Sequence, residues 1–161
     1  MTEHWRLKLL RRVVAFVVAA VVMVVLGSAA HSYFVQRAWS VAAGQADGTT
    51  PASIPIADRV SWAAHDLGGI MLAYGALTSI ALLVAFLIAG AVARFTGIRV
   101  MVFGIAGAAA ILVLFTTLRM LLGTVGIFGA RGAMGLGAQM AVGLIAGLLF
   151  ARLTLRHAEK R

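Results

Sequence analysis

The chain contains no cysteine, which excludes disulfides, thiolate nucleophiles, iron–sulfur clusters and cysteine-ligated zinc. Proline is nearly absent as well. Pro51 and Pro55 both lie in one turn-rich stretch, so the long apolar segments carry no helix breaker of this kind. Charge is also scarce, since only 12% of residues are charged and the acids number 5 against 14 Lys and Arg. So few charges are unusual for a water-soluble domain of this size.

Apolar residues take the place of the missing charge. They make up 62% of the 161 residues, and the mean hydropathy is +1.01. A soluble core of this length could not hide so many apolar side chains, so lipid must be the solvent. Four stretches reach the roughly 20 residues that a bilayer crossing needs. The sequence therefore predicts one all-α integral membrane domain over residues 1–161, a four-helix bundle with spans at residues 13–31, 62–93, 100–122 and 132–151.

The cations are distributed unevenly around these spans, and this predicts the topology. Ten of the fourteen precede the first span, separate the second from the third, or follow the fourth: Arg6, Lys8, Arg11, Arg12, Arg94, Arg99, Arg152, Arg156, Lys160 and Arg161. Because cationic loops stay in the cytoplasm, both termini are expected inside a bacterial-type inner membrane. The cations flank apolar segments instead of forming one basic face, so membrane lipids are the expected partner and nucleic acid is not.

The segment between the first and second spans, residues 32–60, is expected to be a structured periplasmic loop. Its first half, residues 33–42, mixes aromatics with Gln36 and Arg37 at helical spacing, and its second half is turn-rich. A short interfacial helix followed by an extended return is predicted. Four aromatic residues are expected to form a belt at the outer surface: Tyr33, Phe34, Trp39 and Trp62.

Small residues recur every four positions, a pattern that favours close helix contact in lipid. Such rows predict the packing faces of three spans. The members are Ala15, Ala19, Met23, Gly27 and His31 in the first span; His65, Gly69, Ala73, Leu77, Ala81, Ala85 and Ala89 in the second; and Arg131, Gly135, Gln139, Gly143, Gly147 and Ala151 in the fourth.

Polar residues on or near these rows predict a cluster toward the outer side of the membrane. Its members are His31, His65, Asp66, Arg119 and Arg131, with Tyr74, Thr116, Thr117 and Gln139 deeper. Arg119 is costly in lipid and Asp66 is the one acid near a span at a matching depth, so an ion pair is expected. The favoured function is binding of an anionic ligand or lipid by Arg119 and Arg131, coupled to transport or to a larger assembly.

Other classes of function use the same residues. His31 and His65 could ligate a transition metal or haem if they meet, although two histidines without a further acid or cysteine make an incomplete metal site. The chain could also be a structural subunit that packs against itself or another membrane protein. Ser28, Ser32 and Ser61 show no triad pattern, so no catalytic residue and no cofactor is predicted.

Overall fold

The structure is a computed structural model that describes residues 3–46, 54–123 and 132–155, apart from the side chains of residues 3, 4, 46, 66, 67 and 69–72. Within these ranges the chain forms four helices and no strand. They are α1 (Glu3–Ala46), α2 (Ile56–Thr96), α3 (Arg99–Leu122) and α4 (Ala133–Leu155). Each contains a segment long and apolar enough to cross a membrane. The predicted all-helical class with four apolar spans is confirmed.

The helices begin and end where the local sequence favours it. Gly97, at φ 70°, ends α2 in the left-handed conformation that glycine adopts without strain, and α3 follows directly. Gly123, at φ 69°, ends α3 in the same way. Pro55 precedes the first turn of α2, where its missing N–H and fixed φ are tolerated.

The first helix is much longer than its predicted span. α1 continues past residue 31 to Ala46, so the short interfacial helix predicted over residues 33–42 is a continuation of α1. α2 in turn begins at Ile56, inside the predicted loop. No proline lies between His31 and Ala46, and the polar side chains of this part of α1 pack against α2, so nothing ends the helix at residue 31.

The four helices form a ring in which each packs mainly against two neighbours, with α3 against α4 as the most extensive contact. At one end of the bundle α1 begins, α2 connects to α3, and α4 ends. We call this the "termini end" and the opposite end the "distal end". Phe86 of α2 lies beside Phe103 of α3. Toward the distal end, α2 extends about 45 Å from that level to its first residue, but α3 extends only about 28 Å to its last residue. The distal parts of α1 and α2 therefore project beyond α3.

Aromatic side chains fill the bundle near the termini end. The ring of Phe86 stacks on Phe150 at 4.8 Å between centroids and meets Phe103 at 5.6 Å and Phe16 at 6.3 Å. Such pairs add to the stability that burial provides. All four helices thus join at one level.

Glycine allows α3 and α4 to touch backbone to backbone. A Cβ at Gly107 would overlap the carbonyl oxygen of Gly143, and a Cβ at Gly147 would overlap that of Phe103. At Gly143 an added Cβ would lie 2.5 Å from the Gly107 oxygen and 2.7 Å from Ile111. Small residues permit this close approach, which is a main source of helix association in lipid.

The predicted packing rows agree with two helices and differ on the third. Every row member in α1 is buried, and so are the row members of α4 from Gly135 to Ala151. In α2, however, Ala73 and Leu77 are exposed, whereas the later row members Ala81 and Ala85 are half-buried against the core and Ala89 is buried. The other buried residues of this helix follow a neighbouring row: Tyr74, Thr78, Leu82 and Phe86. A strict four-residue row turns by about 40° per step, so over a helix as long as α2 it leaves the packed face.

The outside of the bundle is apolar along the spans. Exposed aliphatic side chains occur on every helix, among them Val17, Val21, Ile80, Leu87, Ile105, Val113 and Ile145. Apolar surface on this scale is compatible with a multi-pass membrane protein, in which acyl chains cover it.

Candidate functional site

One glutamine in the middle of the bundle joins three helices. The Tyr74 hydroxyl of α2 donates to Oε1 of Gln139 on α4 over 2.7 Å, and Nε2 of Gln139 donates to the Gly27 carbonyl of α1 over 2.9 Å. Gln139 is fully buried and Tyr74 is 3% exposed. An amide needs both a donor and an acceptor in an apolar interior, and this arrangement supplies them.

Glycine is required at position 27 for the same contact. A Cβ there would overlap the Tyr74 hydroxyl and lie 3.0 Å from Oε1 of Gln139. One turn further along α2, buried Thr78 donates to the Tyr74 carbonyl over 2.7 Å, so its hydroxyl is satisfied within its own helix.

The buried face of α1 changes from apolar to polar at this level. On the termini side of Gly27 it consists of apolar residues such as Ala19 and Met23, both fully buried. On the distal side the buried side chains are Ser28, His31, Ser32 and Gln36, all no more than 9% exposed. Polar side chains on the protein-facing side of a membrane helix commonly mark a functional path or an interhelical contact.

This polar face leads to a groove between the projecting parts of α1 and α2. The groove has a volume of about 360 Å³ and is lined by Tyr33, Gln36, Arg37, Ser40, Val41 and Arg59. Two of these six side chains carry a positive charge and none carries a negative one. We call it the distal groove.

Hydrogen bonds fix the polar walls of the distal groove. Nε2 of Gln36 donates to Oγ of Ser32 over 3.1 Å and to the Arg59 carbonyl of α2 over 3.0 Å. Nε of Arg59 donates to the Ile54 carbonyl over 3.1 Å, and Oγ of Ser40 donates to the Arg37 carbonyl over 2.9 Å. The guanidinium of Arg59 is therefore held through its Nε.

Aromatic pairs flank the groove. Trp39 and Trp62 meet edge to face at 5.6 Å between centroids and join α1 to α2, while Tyr33 meets Phe34 at 5.3 Å. These are the four residues that the sequence predicts for an aromatic belt, and Tyr33 and Trp39 are each 55% exposed.

The structure brings together only part of the polar cluster that the sequence predicts. Tyr74 and Gln139 are hydrogen-bonded, and His31 is buried one turn from Gly27. His65 and Arg119 are exposed on α2 and α3. Thr117 is exposed, and Thr116 donates to the Leu112 carbonyl of its own helix over 2.8 Å.

Two members of that cluster cannot be placed. The side chain of Asp66 and the whole of Arg131 lie outside the described residues. The Asp66–Arg119 ion pair and the binding role of Arg131 therefore stay predictions.

The contacts between α1 and α2 bring the two histidines to neighbouring levels. The Gln36–Arg59 contact sets His65 beside Ala30 of α1 and the Trp39–Trp62 contact sets it beside Gln36, so His65 lies within about 8 Å of the level of His31. In the part of the chain that the structure describes, no group of three or more His, Cys, Asp or Glu side chains could hold a metal ion.

Sequence reasoning missed the residues of the distal groove as a site. A second four-residue row, Ser28, Ser32, Gln36 and Ser40, runs along α1 and could have indicated a polar packed face. Arg59 carries no such signal, because its position depends on the register between α1 and α2.

Comparison with protein families, with characterised proteins and with solved structures finds no match to this chain.

Proposed function

We propose that this protein binds an anionic ligand, either a lipid headgroup or a small carboxylate or phosphate, in the distal groove. The observation that carries the proposal is the pairing of Arg37 and Arg59 in one groove whose other lining residues are uncharged. Arginine recognises carboxylates and phosphates through charge-assisted, often bidentate hydrogen bonds.

The neighbouring groups suit the same class of ligand. Ser40 and Tyr33 offer hydroxyl groups, and Val41 offers an apolar wall. Because Gln36 and Arg59 are already held by hydrogen bonds to the protein, less side-chain entropy is lost when a ligand binds. The aromatic side chains beside the groove suit the headgroup region of a membrane, where an anionic lipid presents its phosphate.

The proposed orientation places the groove outside the cell. The termini end carries Arg6, Arg12, Arg94 and Arg152, and cationic segments are retained in the cytoplasm. The distal end of a bacterial inner-membrane protein would then face the periplasm. Coupling of binding to transport or to a membrane assembly remains part of this proposal.

Binding can be measured through the tryptophans of the groove. The chain has three tryptophans, and a Trp5→Phe background leaves Trp39 and Trp62, which lie beside the groove, as the reporters. In neutral detergent, titration with short-chain phosphatidylglycerol or with inorganic phosphate should change their fluorescence in a saturable way. A response to the lipid alone identifies a headgroup site, and a response to phosphate identifies a site for small anions.

Variants then locate the response. Arg37→Gln and Arg59→Gln should each weaken binding about tenfold or more, because each removes a charge-assisted hydrogen bond. Arg94→Gln, an equal loss of charge at the termini end, is the control and should have little effect. If Arg119→Gln abolishes the response and the groove variants do not, the site is the cluster predicted from the sequence and the groove proposal is wrong. The absence of any saturable response would also reject it.

The orientation has its own test. A reporter that is active only in the periplasm should be active when fused at Gly44 and inactive when fused after Leu155. The opposite pattern would reverse the proposed topology without affecting the groove.

A further inference from the structure

A second site for an anion is indicated at the opposite end of the bundle, on Arg99. Nε of Arg99 is buried and has no hydrogen-bond partner among the described residues. The guanidinium carbon lies 5.4 Å from the centroid of the Phe103 ring, so the group rests on an aromatic face that offers no acceptor oxygen. Buried polar nitrogens nearly always have a partner, and one without a partner calls for a ligand, ion or water.

A second cation lies near this nitrogen. Arg12 and Arg99 each come one turn before a phenylalanine that meets Phe86, Phe16 on α1 and Phe103 on α3, so the two arginines lie at the same level. These helices are diagonal in the ring, and the positive charge of Arg12 acts unfavourably on Arg99 across the termini end. Two like charges that converge destabilise each other unless an anion lies between them.

Nothing in the described protein neutralises the pair. No carboxylate occurs at the termini end among the described side chains. Glu3 lies about 13 Å before Arg12 along α1 and Glu159 follows α4, and both side chains are outside that set. The first backbone N–H groups of α3 add further donors beside Arg99, because Ile98 provides no side-chain cap.

The depth of the two arginines suits a phosphate. Arg12 directly precedes the apolar stretch that begins at Val13, and Arg99 directly precedes the one that begins at Val100. Both therefore lie where the hydrocarbon region starts, which is the level of lipid phosphates. Basic pockets between membrane helices at this level bind anionic headgroups.

We propose that Arg12 and Arg99 together bind a phosphate group at the termini end, with the Arg99 side chain shifting from the Phe103 ring so that its Nε becomes one of the donors. This site is separate from the distal groove and does not depend on the function proposed for it. The same chemistry could come from an anionic phospholipid or from free phosphate, and the experiment distinguishes them.

The experiment uses the full chain in nanodiscs of neutral phosphatidylcholine. Thermal stability and native mass spectrometry are measured after addition of phosphatidylglycerol or of inorganic phosphate. Wild-type protein should retain phosphatidylglycerol and unfold at a higher temperature with it. Stabilisation by inorganic phosphate to the same extent would assign the site to free phosphate, and absence of both effects would overturn the proposal.

Three variants test the residues. Arg12→Gln and Arg99→Gln should each reduce the affinity about tenfold. Arg99→Lys keeps the charge but removes Nε, and it should lose nearly as much. Arg152→Gln removes an exposed charge at the same end of α4 and should change the affinity less than about twofold, as expected for a screened surface charge.

Two outcomes would contradict the site. If Arg152→Gln weakens binding as much as Arg12→Gln, the lipid is attracted by the overall positive charge of this end and not by a specific site. If Arg99→Lys binds as tightly as wild type, Nε is not a donor. To separate the two sites, Arg12→Gln and Arg99→Gln are also made in an Arg37→Gln, Arg59→Gln background, where the remaining affinity for phosphatidylglycerol should still fall about tenfold. If they have no effect in that background, the lipid binds in the distal groove alone and the termini-end site is wrong.

Discussion

The contact between α3 and α4 and the contact between the distal parts of α1 and α2 show two ways of joining membrane helices. The first uses glycines that bring two backbones together, as at Gly107 and Gly143. The second uses polar and aromatic side chains, as between Gln36 and Arg59 or between Trp39 and Trp62. Backbone contact leaves no room for a ligand, whereas side-chain contact between projecting helices leaves a groove. This difference explains why the distal groove lies between α1 and α2 and not between α3 and α4.

The largest effect is expected at the backbone contact. Gly143→Leu or Gly107→Leu would insert a side chain where Cβ alone already overlaps the opposite helix. Overpacking costs about 1–3 kcal/mol in soluble cores, and a clash with backbone should cost at least that much. Thermal unfolding in detergent should show a large loss of stability or no folded protein.

Gly137 provides the matched control on the same helix. A Cβ at this position meets nothing within 4 Å. Gly137→Ala should be neutral or stabilise the protein by up to about 1 kcal/mol through helix propensity, whereas Gly143→Ala should destabilise it. If Gly137→Ala and Gly143→Ala change the free energy of unfolding equally, close backbone contact at Gly143 does not stabilise the α3–α4 pair.

A smaller effect is expected at the central glutamine. Gln139→Leu removes the acceptor of Tyr74 and the donor to Gly27. Interhelical hydrogen bonds in membrane proteins are worth about 0.6 kcal/mol each on average and up to about 1.7, so the loss of two should lower the free energy of unfolding by about 1–3 kcal/mol in unfolding curves. In a double-mutant cycle with Tyr74→Phe, the two changes should be non-additive. Strict additivity would mean that the hydrogen bond contributes nothing to stability.

The aromatic pair at the distal end should contribute no more to the free energy of unfolding than the hydrogen bonds of Gln139 do. If the edge-to-face contact with Trp62 is stabilising, Trp39→Leu should lower the free energy of unfolding by about 0.5–1.5 kcal/mol, in addition to the loss that comes from burying less apolar area. Trp5→Leu changes an exposed tryptophan at the termini end and is the control. Since the contact joins only α1 and α2, the variant should loosen the distal end and leave the α3–α4 contact intact. Hydrogen exchange can follow the two regions separately.

The smallest effect is expected for the ion pair predicted between Asp66 and Arg119. Arg119 is exposed, and exposed ion pairs contribute about 0–1 kcal/mol. Asp66→Asn should therefore cost little in stability, and Arg119→Gln added to it should recover part of that cost. A double variant less stable than either single variant would contradict the pairing.

The sequence predicted the four apolar helices because hydrophobic length and helix breakers are local properties. Four of the predicted span ends lie within three residues of helix ends, near Thr96, Arg99, Leu122 and Ala133. The packed faces of α1 and α4 were also predictable, since a row of small residues such as Ala15, Ala19 and Gly27 allows another helix to pack closely against it in lipid. In α2 the predicted row is right from Ala81 to Ala89 and wrong at Ala73 and Leu77, where the larger Tyr74 and Thr78 take the buried positions.

Only the tertiary structure decided the distal groove and the place of each polar residue. Periodicity states which residues of one helix share a face, but it does not give the register between two helices. The helix register brings Arg59 to Gln36 and Gln139 to Gly27, although 112 residues separate the latter pair. The physical reason is that hydropathy is a sum over neighbours along the chain, whereas a binding site depends on the distances between side chains from different helices.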